Sequence, residues 1–230
     1  MRFAEADRIL HLYTSERGRI GAIAKGIRKT KSRVGARLEP LSHVELMLHE
    51  GSGELQTVTG VDLKYSHRAS REEPYRLSVG LIGAEAMLRL FGEPETNERA
   101  FTALAKFLEL LDELQPEDDD ATLEPLVLSF QLKLLWVAGY LPHLTSCVEC
   151  GAAELVAFSP RAGGAVCSLH ARDALRLTPE GIAGVERMLS TPLADARDAG
   201  LSRRARRDAL TVITSSYEEH GGFRLRTLSA

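Results

Sequence analysis

The stretch Leu10-His-Leu-Tyr-Thr-Ser-Glu-Arg-Gly-Arg-Ile-Gly-Ala-Ile-Ala-Lys25 decides how the first third of this 230-residue chain folds. Leu10 and Leu12 alternate with His11 and Tyr13, and Ile20, Ala22 and Ala24 alternate with Gly21, Ile23 and Lys25. A period of two sends successive side chains to opposite faces of a strand. Ser15-Glu-Arg-Gly18 lies between the two runs as a turn, so the stretch reads as a β-hairpin. Further on, Val44, Leu46 and Leu48 alternate with Glu45, Met47 and His49, a third strand. Gly51-Ser-Gly53 turns the chain, and Leu55, Thr57 and Thr59 line one face of a fourth. Short strands joined by glycine turns, with no helix between them, indicate a small antiparallel barrel or sandwich.

From about residue 71 the period becomes helical. Leu77, Leu81, Ala84 and Leu88 mark one helix, with Pro74 suited to its first turn and Gly92 to its end. Phe101, Leu104, Leu108 and Leu111 mark a second. Residues 122–138 form a third that is apolar nearly all round, hence central, with Trp136 read as part of the core and Gly139 and Pro142 as its end. Thr178-Pro179 opens a fourth, with threonine as N-cap and proline at N1. Ser202 caps a last helix that carries Leu210, Ile213 and Tyr217 inward and stops at Gly221-Gly222. The fold class is α+β with two domains: a β-domain over 1–68 and a helical domain over 69–230, the latter interrupted by an insert over 144–172.

The charge divides at the same place. Residues 1–68 carry 12 Lys+Arg against 8 Asp+Glu, and residues 69–230 carry 17 against 24. Halves of opposite sign suggest two kinds of partner. Six of the cations, Lys25, Arg28, Lys29, Lys31, Arg33 and Arg37, fall in one run with no acid among them. Such a loop can displace counterions from a phosphate backbone, the main source of sequence-independent nucleic-acid affinity; its backbone N–H groups, Thr30 and Ser32 could add contacts. The bland alternative is a solvated loop. The β-domain has few aromatic residues for base stacking (Phe3, Tyr13 and Tyr65), so backbone electrostatics would dominate. A second cluster, Arg203, Arg204, Arg206 and Arg207, opens the last helix, where cations oppose the helix dipole. Phosphate binding and pairing with acids elsewhere explain it equally well.

All three cysteines lie in the insert. Cys147-Val-Glu-Cys150 is followed by Cys167-Ser-Leu-His170. Two residues between ligands let a tight turn present both side chains to one ion, and four N/S donors suit tetrahedral zinc. Gly151 and Gly163-Gly164 supply turns, and the segment between the pairs suits a short ribbon hairpin. Four protein ligands leave no open position, so the expected Zn2+ is structural, one per chain. The bland alternative is reduced core cysteines beside a surface histidine. A zinc deaminase is excluded, because His143 is followed by Leu144-Thr145 and not by the required His-x-Glu element. There is no phosphate-binding loop of the P-loop kind, so no nucleotide hydrolysis is expected. His11, His43, His49, His67 and His143 share no spacing and read as structural or surface residues.

Five N-terminal strings together resemble the bacterial RecO DNA repair family: Glu5-Ala-Asp-Arg-Ile-Leu, Leu12-Tyr-Thr-Ser-Glu-Arg-Gly-Arg, Ala24-Lys-Gly-Ile-Arg-Lys-Thr-Lys-Ser-Arg, Leu38-Glu-Pro-Leu and Gly53-Glu-Leu. The Cys-x-x-Cys…Cys-x-x-His segment and the ending His220-Gly-Gly-Phe-Arg resemble it too, so the likeness spans nearly the whole chain. It implies an N-terminal OB fold, a helical C-terminal domain and a zinc module in a protein that is not an enzyme. It also implies binding of single- and double-stranded DNA, annealing of complementary strands, and partnership with RecR and the single-strand-binding protein to load RecA. RecO chains usually begin with roughly ten or more further residues that form the first barrel strand, whereas here Met1-Arg-Phe-Ala4 joins directly onto the Glu-Ala-Asp-Arg element. The barrel is therefore expected to lack one strand, with an exposed edge and a partly opened core. The alternative function is a zinc-containing transcription or RNA-binding adaptor, which would discriminate sequence where a recombination mediator would not. Neither a small-molecule substrate nor a membrane is expected. No apolar run approaches the roughly 18–20 residues that span a bilayer, and the first residues lack the apolar core of a secretory signal, which suggests a cytoplasmic protein.

Overall fold

A computed structural model describes residues 7–27, 35–51, 53, 55–92, 95–116 and 119–228. The opening hairpin is β1 (Arg8–Thr14) and β2 (Gly18–Ala24), in register from Arg8 opposite Ala24 to Thr14 opposite Gly18. Its turn is closed by Thr14, whose Oγ1 donates to Gly18 O and accepts from Arg17 N. Gly18 sits at φ 65°, in the left-handed region that glycine adopts without strain. β3 (His43–His49) pairs antiparallel with β4 (Gln56–Tyr65). The hairpins join through a parallel contact of β2 with β4 at Ala22–Gln56 and Ile23–Thr57, so the strand order is β1-β2-β4-β3.

Among the described residues no pairing joins β1 to β3, so the expected barrel is an open sheet. The open seam shows in the packing. Ala24, Ile27 and Leu38 are buried, but Leu10, Val44, Leu46, Val58 and Val61 around them are only partly covered.

The helical half begins with α1 (Arg68–Glu72), α2 (Pro74–Leu90), α3 (Glu98–Glu113) and α4 (Pro125–Val137). Side-chain caps set three of the starts: Glu73 accepts from Tyr75 N and Arg76 N, Asn97 from Ala100 N, and Glu124 from Leu126 N. α4 is the central helix, as its apolar sequence requires, with Phe130 stacked on Phe107 of α3 at 4.3 Å. At Gly83 a Cβ would lie 2.5 Å from the Phe107 ring, so glycine lets α2 close on α3.

Two expectations are corrected. The buried face of α2 is Val79, Ile82, Gly83, Ala86 and Met87, not the 77/81/84/88 stripe, and Leu81 is exposed. Apolar residues surround this helix, so periodicity could not fix its phase. Trp136 is 57% exposed and not core. It lies in the last turn of α4 beside the buried Leu134 and Leu135 but on the face open to solvent, and the helix ends in a Schellman motif. There Gly139, at φ 86°, donates to Trp136 O and Tyr140 N donates to Leu135 O.

The chain then forms a small sheet of β5 (Ala157–Ser159), β6 (Gly164–Val166) and β7 (Leu175–Arg176) in the order β6-β5-β7. It closes with α5 (Pro179–Ser190) and α6 (Arg203–Ser216). Thr178 and Ser202 cap these two helices through Gly181 N and Ala205 N, as the sequence predicts. Lys133 of α4 donates to the carbonyls of Met188, Leu189 and Thr191 and so satisfies the C-terminal end of α5. Among the described residues no helix is long and apolar enough to cross a membrane.

Sheet and helices are tied together directly. Arg19 Nη1 donates to Leu88 O at 2.7 Å, and the Tyr13 ring meets Phe91 edge-on at 6.0 Å. The junction residue His67 is 4% exposed and sits 2.9 Å from Asp112 of α3.

Candidate functional site

The two cysteine turns are brought face to face by the small sheet. β5 and β6 form the predicted ribbon hairpin, and the β6 strand delivers Cys167 into a single turn of 3-10 helix that ends at His170. The first turn is held by backbone bonds: Cys147 N donates to Ala152 O, and Gly151 N donates to Cys147 O, each at 2.8 Å. Gly151 takes φ 75° there. Val148 N donates to Ala165 O, which docks this turn onto β6.

The result is one cluster. The ligand atoms of Cys147, Cys150, Cys167 and His170 all lie within 4.8 Å of one another. Cys147 Sγ is 3.7 Å from His170 Nδ1, Cys150 Sγ is 3.7 Å from Cys167 Sγ, and Cys167 Sγ is 3.4 Å from His170 Nδ1. A tetrahedron built with Zn–S of about 2.3 Å and Zn–N of about 2.05 Å has edges of roughly 3.8 Å between sulfurs and 3.6 Å from sulfur to nitrogen. The spacing of the four atoms and their soft sulfur–nitrogen chemistry both fit such an ion.

The local electrostatics favour ligand-ready sulfur. Burial pushes the Cys147 thiol up, but backbone hydrogen bonds at Cys167, Glu149 and Cys150 outweigh it and bring its pKa down to about 6. His170 holds the Cys167 thiol below its ordinary value, and the same contact raises the His170 imidazole. The Cys150 thiol moves the other way: a backbone bond at Ala152 lowers it, but its neighbours Cys147 and Cys167, with burial, push it up overall. Sulfurs that compete for charge at these distances are what a dication relieves.

The basic run is described only at its two ends. Lys25 is exposed just beyond β2, and Arg37 is exposed but donates to Val61 O at 2.9 Å. Arg28, Lys29, Lys31 and Arg33 lie outside the described residues, as do Thr30 and Ser32. At the start of α6, pairing accounts for three of the four arginines. Arg203 reaches Asp120 at 3.5 Å, Arg204 reaches Asp208 at 3.4 Å, and Arg206 Nε donates to Leu201 O. Asp208 is itself buried, accepting from Thr178 N and Oγ1, so Arg204 stabilises the acid that fixes the start of α5.

His67, whose spacing marks it only as structural or surface, is a buried structural residue. Its ring, with Ser70 N and Oγ, converges on the Asp112 carboxylate and pins the sheet–helix junction. No spacing signalled this, because the partners lie 42 and 45 residues apart.

Both halves of the chain match family models: the N-terminal domain of recombination protein O over residues 1–67 and its C-terminal domain over 71–229. The DNA repair protein RecO of Rubrobacter xylanophilus is 36% identical over 90% of this chain and 84% of its own. That of Frankia casuarinae is 36% identical over 98% and 91%. That of Thermobifida fusca is 36% identical over 93% and 86%. With two family models and relatives matched over 84–91% of their own length in agreement, this chain belongs to the RecO family, a family of DNA repair proteins and not of enzymes.

Proposed function

We propose that this chain binds single- and double-stranded DNA through backbone phosphates, anneals complementary strands and mediates recombination. In this reading RecR and the single-strand-binding protein are its partners, it acts in the cytoplasm, and RecA is the recombinase it helps to load. The observation that carries the reading is the full-length family match, joined to a run of six cations without an acid between Lys25 and Arg37. The DNA contacts are Lys25, Arg28, Lys29, Lys31, Arg33 and Arg37, with Arg37 also spending one donor on Val61 O. Each phosphate neutralised steepens the salt dependence of binding by about 0.9 in log–log slope on duplex DNA.

The domain division proposed is an OB-type β-domain over 1–68 and a helical domain over 69–230 with a zinc-binding insert over 144–172. Support for the OB reading comes from the strand order with its one parallel joint between β2 and β4. Cys147, Cys150, Cys167 and His170 would hold one structural Zn2+, which stabilises the insert by cross-linking its two turns when bound. The chain's own residues do the rest: β5 and β6 set the distance between the turns, and Phe158 and Ala165 seat the insert in the main core.

Fluorescence annealing of complementary oligonucleotides, with and without single-strand-binding protein, tests the whole reading. Annealing that is accelerated and steeply salt-dependent is expected; no acceleration at low salt overturns it. Replacing Lys25, Arg28, Lys29, Lys31 and Arg33 by Glu is expected to abolish DNA binding at moderate salt, and unchanged affinity would remove the loop from the reading.

A further inference from the structure

We propose that Cys150 and Cys167 form a redox-modification site, at which a peroxide converts the pair to a disulfide and releases the bound metal. The proposal rests on the zinc reading above and goes beyond it. Three observations carry it. The two sulfurs are 3.7 Å apart, close enough that modest motion forms a bond. Cys150 is exposed at the rim of the cluster, whereas Cys147 and Cys167 are 2% and 5% exposed, so an oxidant in solvent reaches Cys150 first. Cys167 is delivered by the turn after β6 and Cys150 by the opposite turn, so a bond between them joins the two turns, as a Cys147–Cys150 bond within one turn would not.

The chemistry balances with peroxide alone. The Cys150 sulfur, a thiolate while it serves as a metal ligand, attacks one peroxide oxygen, the O–O bond breaks, and hydroxide leaves a sulfenic acid behind. The Cys167 thiolate then attacks that sulfur, the S–O bond breaks, a second hydroxide leaves and the S–S bond forms. The two sulfurs lose two electrons, peroxide takes them up, and solvent protonates both hydroxides to water. Cys147 and His170 are left as two of the four ligands, too few to retain the ion. The new bond links the same two turns that the metal linked, so a covalent staple replaces the metal one.

The test uses the full zinc-loaded chain. Metal analysis comes first: without bound zinc, the metal reading itself fails. With zinc present, hydrogen peroxide is added, release is followed with a chromogenic chelator, and unreduced digests are mapped by mass spectrometry. Cleavage after Glu149 separates Cys147 from Cys150. The expected result is loss of all the bound zinc, a peptide bearing Cys150 joined to one bearing Cys167, a free alkylatable Cys147, and recovery of zinc binding after dithiothreitol and added metal. Retained zinc, a Cys147–Cys150 bond, or over-oxidised Cys150 without any disulfide would each overturn the proposal. The oxidised chain is also expected to melt above reduced, chelator-stripped chain; equal melting overturns the idea that the disulfide takes over as a staple.

Discussion

The sheet half and the helical half are built from the same kinds of apolar residue but bury them very differently. In the helical half Phe107, Leu128, Phe130, Leu132, Leu134 and Leu135 are wholly buried. In the sheet half Leu10, Val44, Leu46, Val58 and Val61 face inward yet stay half-covered, because β1 and β3 do not meet among the described residues. Burial contributes in proportion to the area removed from water. The half proposed to bind DNA therefore has the thinner core and depends on its joint with the helices. Such a region opens locally at lower cost than the rest of the fold.

The largest expected effect lies in the deep core. Phe130→Ala removes a fully buried ring of α4 that is stacked on Phe107 of α3 and lies against Gly83 of α2. It should cost about 3–5 kcal/mol of unfolding free energy, measured by denaturant titration. A loss below about 1 kcal/mol would mean that the helical half is no better packed than the sheet, and the contrast would collapse.

Next comes the joint. Asp112→Ala strips Ser70 and buried His67 of their shared acceptor and should cost about 2–3 kcal/mol. Amide exchange should then quicken in β3 and β4 more than in α4. The same group sets a pH dependence. Burial pushes the Asp112 carboxyl up, but hydrogen bonds from Ser70 and His67 outweigh it and hold it below the usual range. A carboxylate with a lower pKa folded than unfolded adds stability above its unfolded value of about 3.9, and that stability is lost as pH falls through the folded value. The wild-type chain should thus lose stability on acidification below about pH 4, and Asp112→Ala should lose less over that window.

How much of this was legible in sequence follows from range. The hairpin over 10–25, the caps at Thr178 and Ser202 and the paired cysteine turns are local patterns, and each is found where the sequence places it. The phase of α2 was not legible, since a helix with apolar residues on every side offers no preferred stripe. Trp136 was misplaced because a helix apolar nearly all round does not show which of its faces meets solvent. The His67–Asp112–Ser70 joint and the Lys133 cap on α5 join residues more than 40 apart in sequence, so they emerge only once the helices pack.

A smaller effect is expected in the sheet. Leu46→Ala in β3 deletes a side chain that is only partly buried and should cost about 1–2 kcal/mol, less than the full burial term of a leucine. Were it to cost as much as Phe130→Ala, the inner face of the sheet would have to be covered in solution, and the difference between the halves would be one of sequence position only.

The smallest effect separates the buried faces of α4 from its exposed one. Trp136 is the only tryptophan in the chain and sits six residues after Phe130 on the same helix, yet it is 57% exposed. Trp136→Ala should change stability by no more than about 0.5 kcal/mol, as for surface substitutions that touch no special feature. Wild-type fluorescence reports the same position without mutation. The indole should emit at the long wavelengths of a water-exposed ring, and iodide should quench it. A blue-shifted, protected signal together with a loss of about 3 kcal/mol on truncation would put Trp136 back in the core. That outcome would extend the deep packing of α4 from Leu134 and Leu135 around to the side of its last turn that now faces solvent.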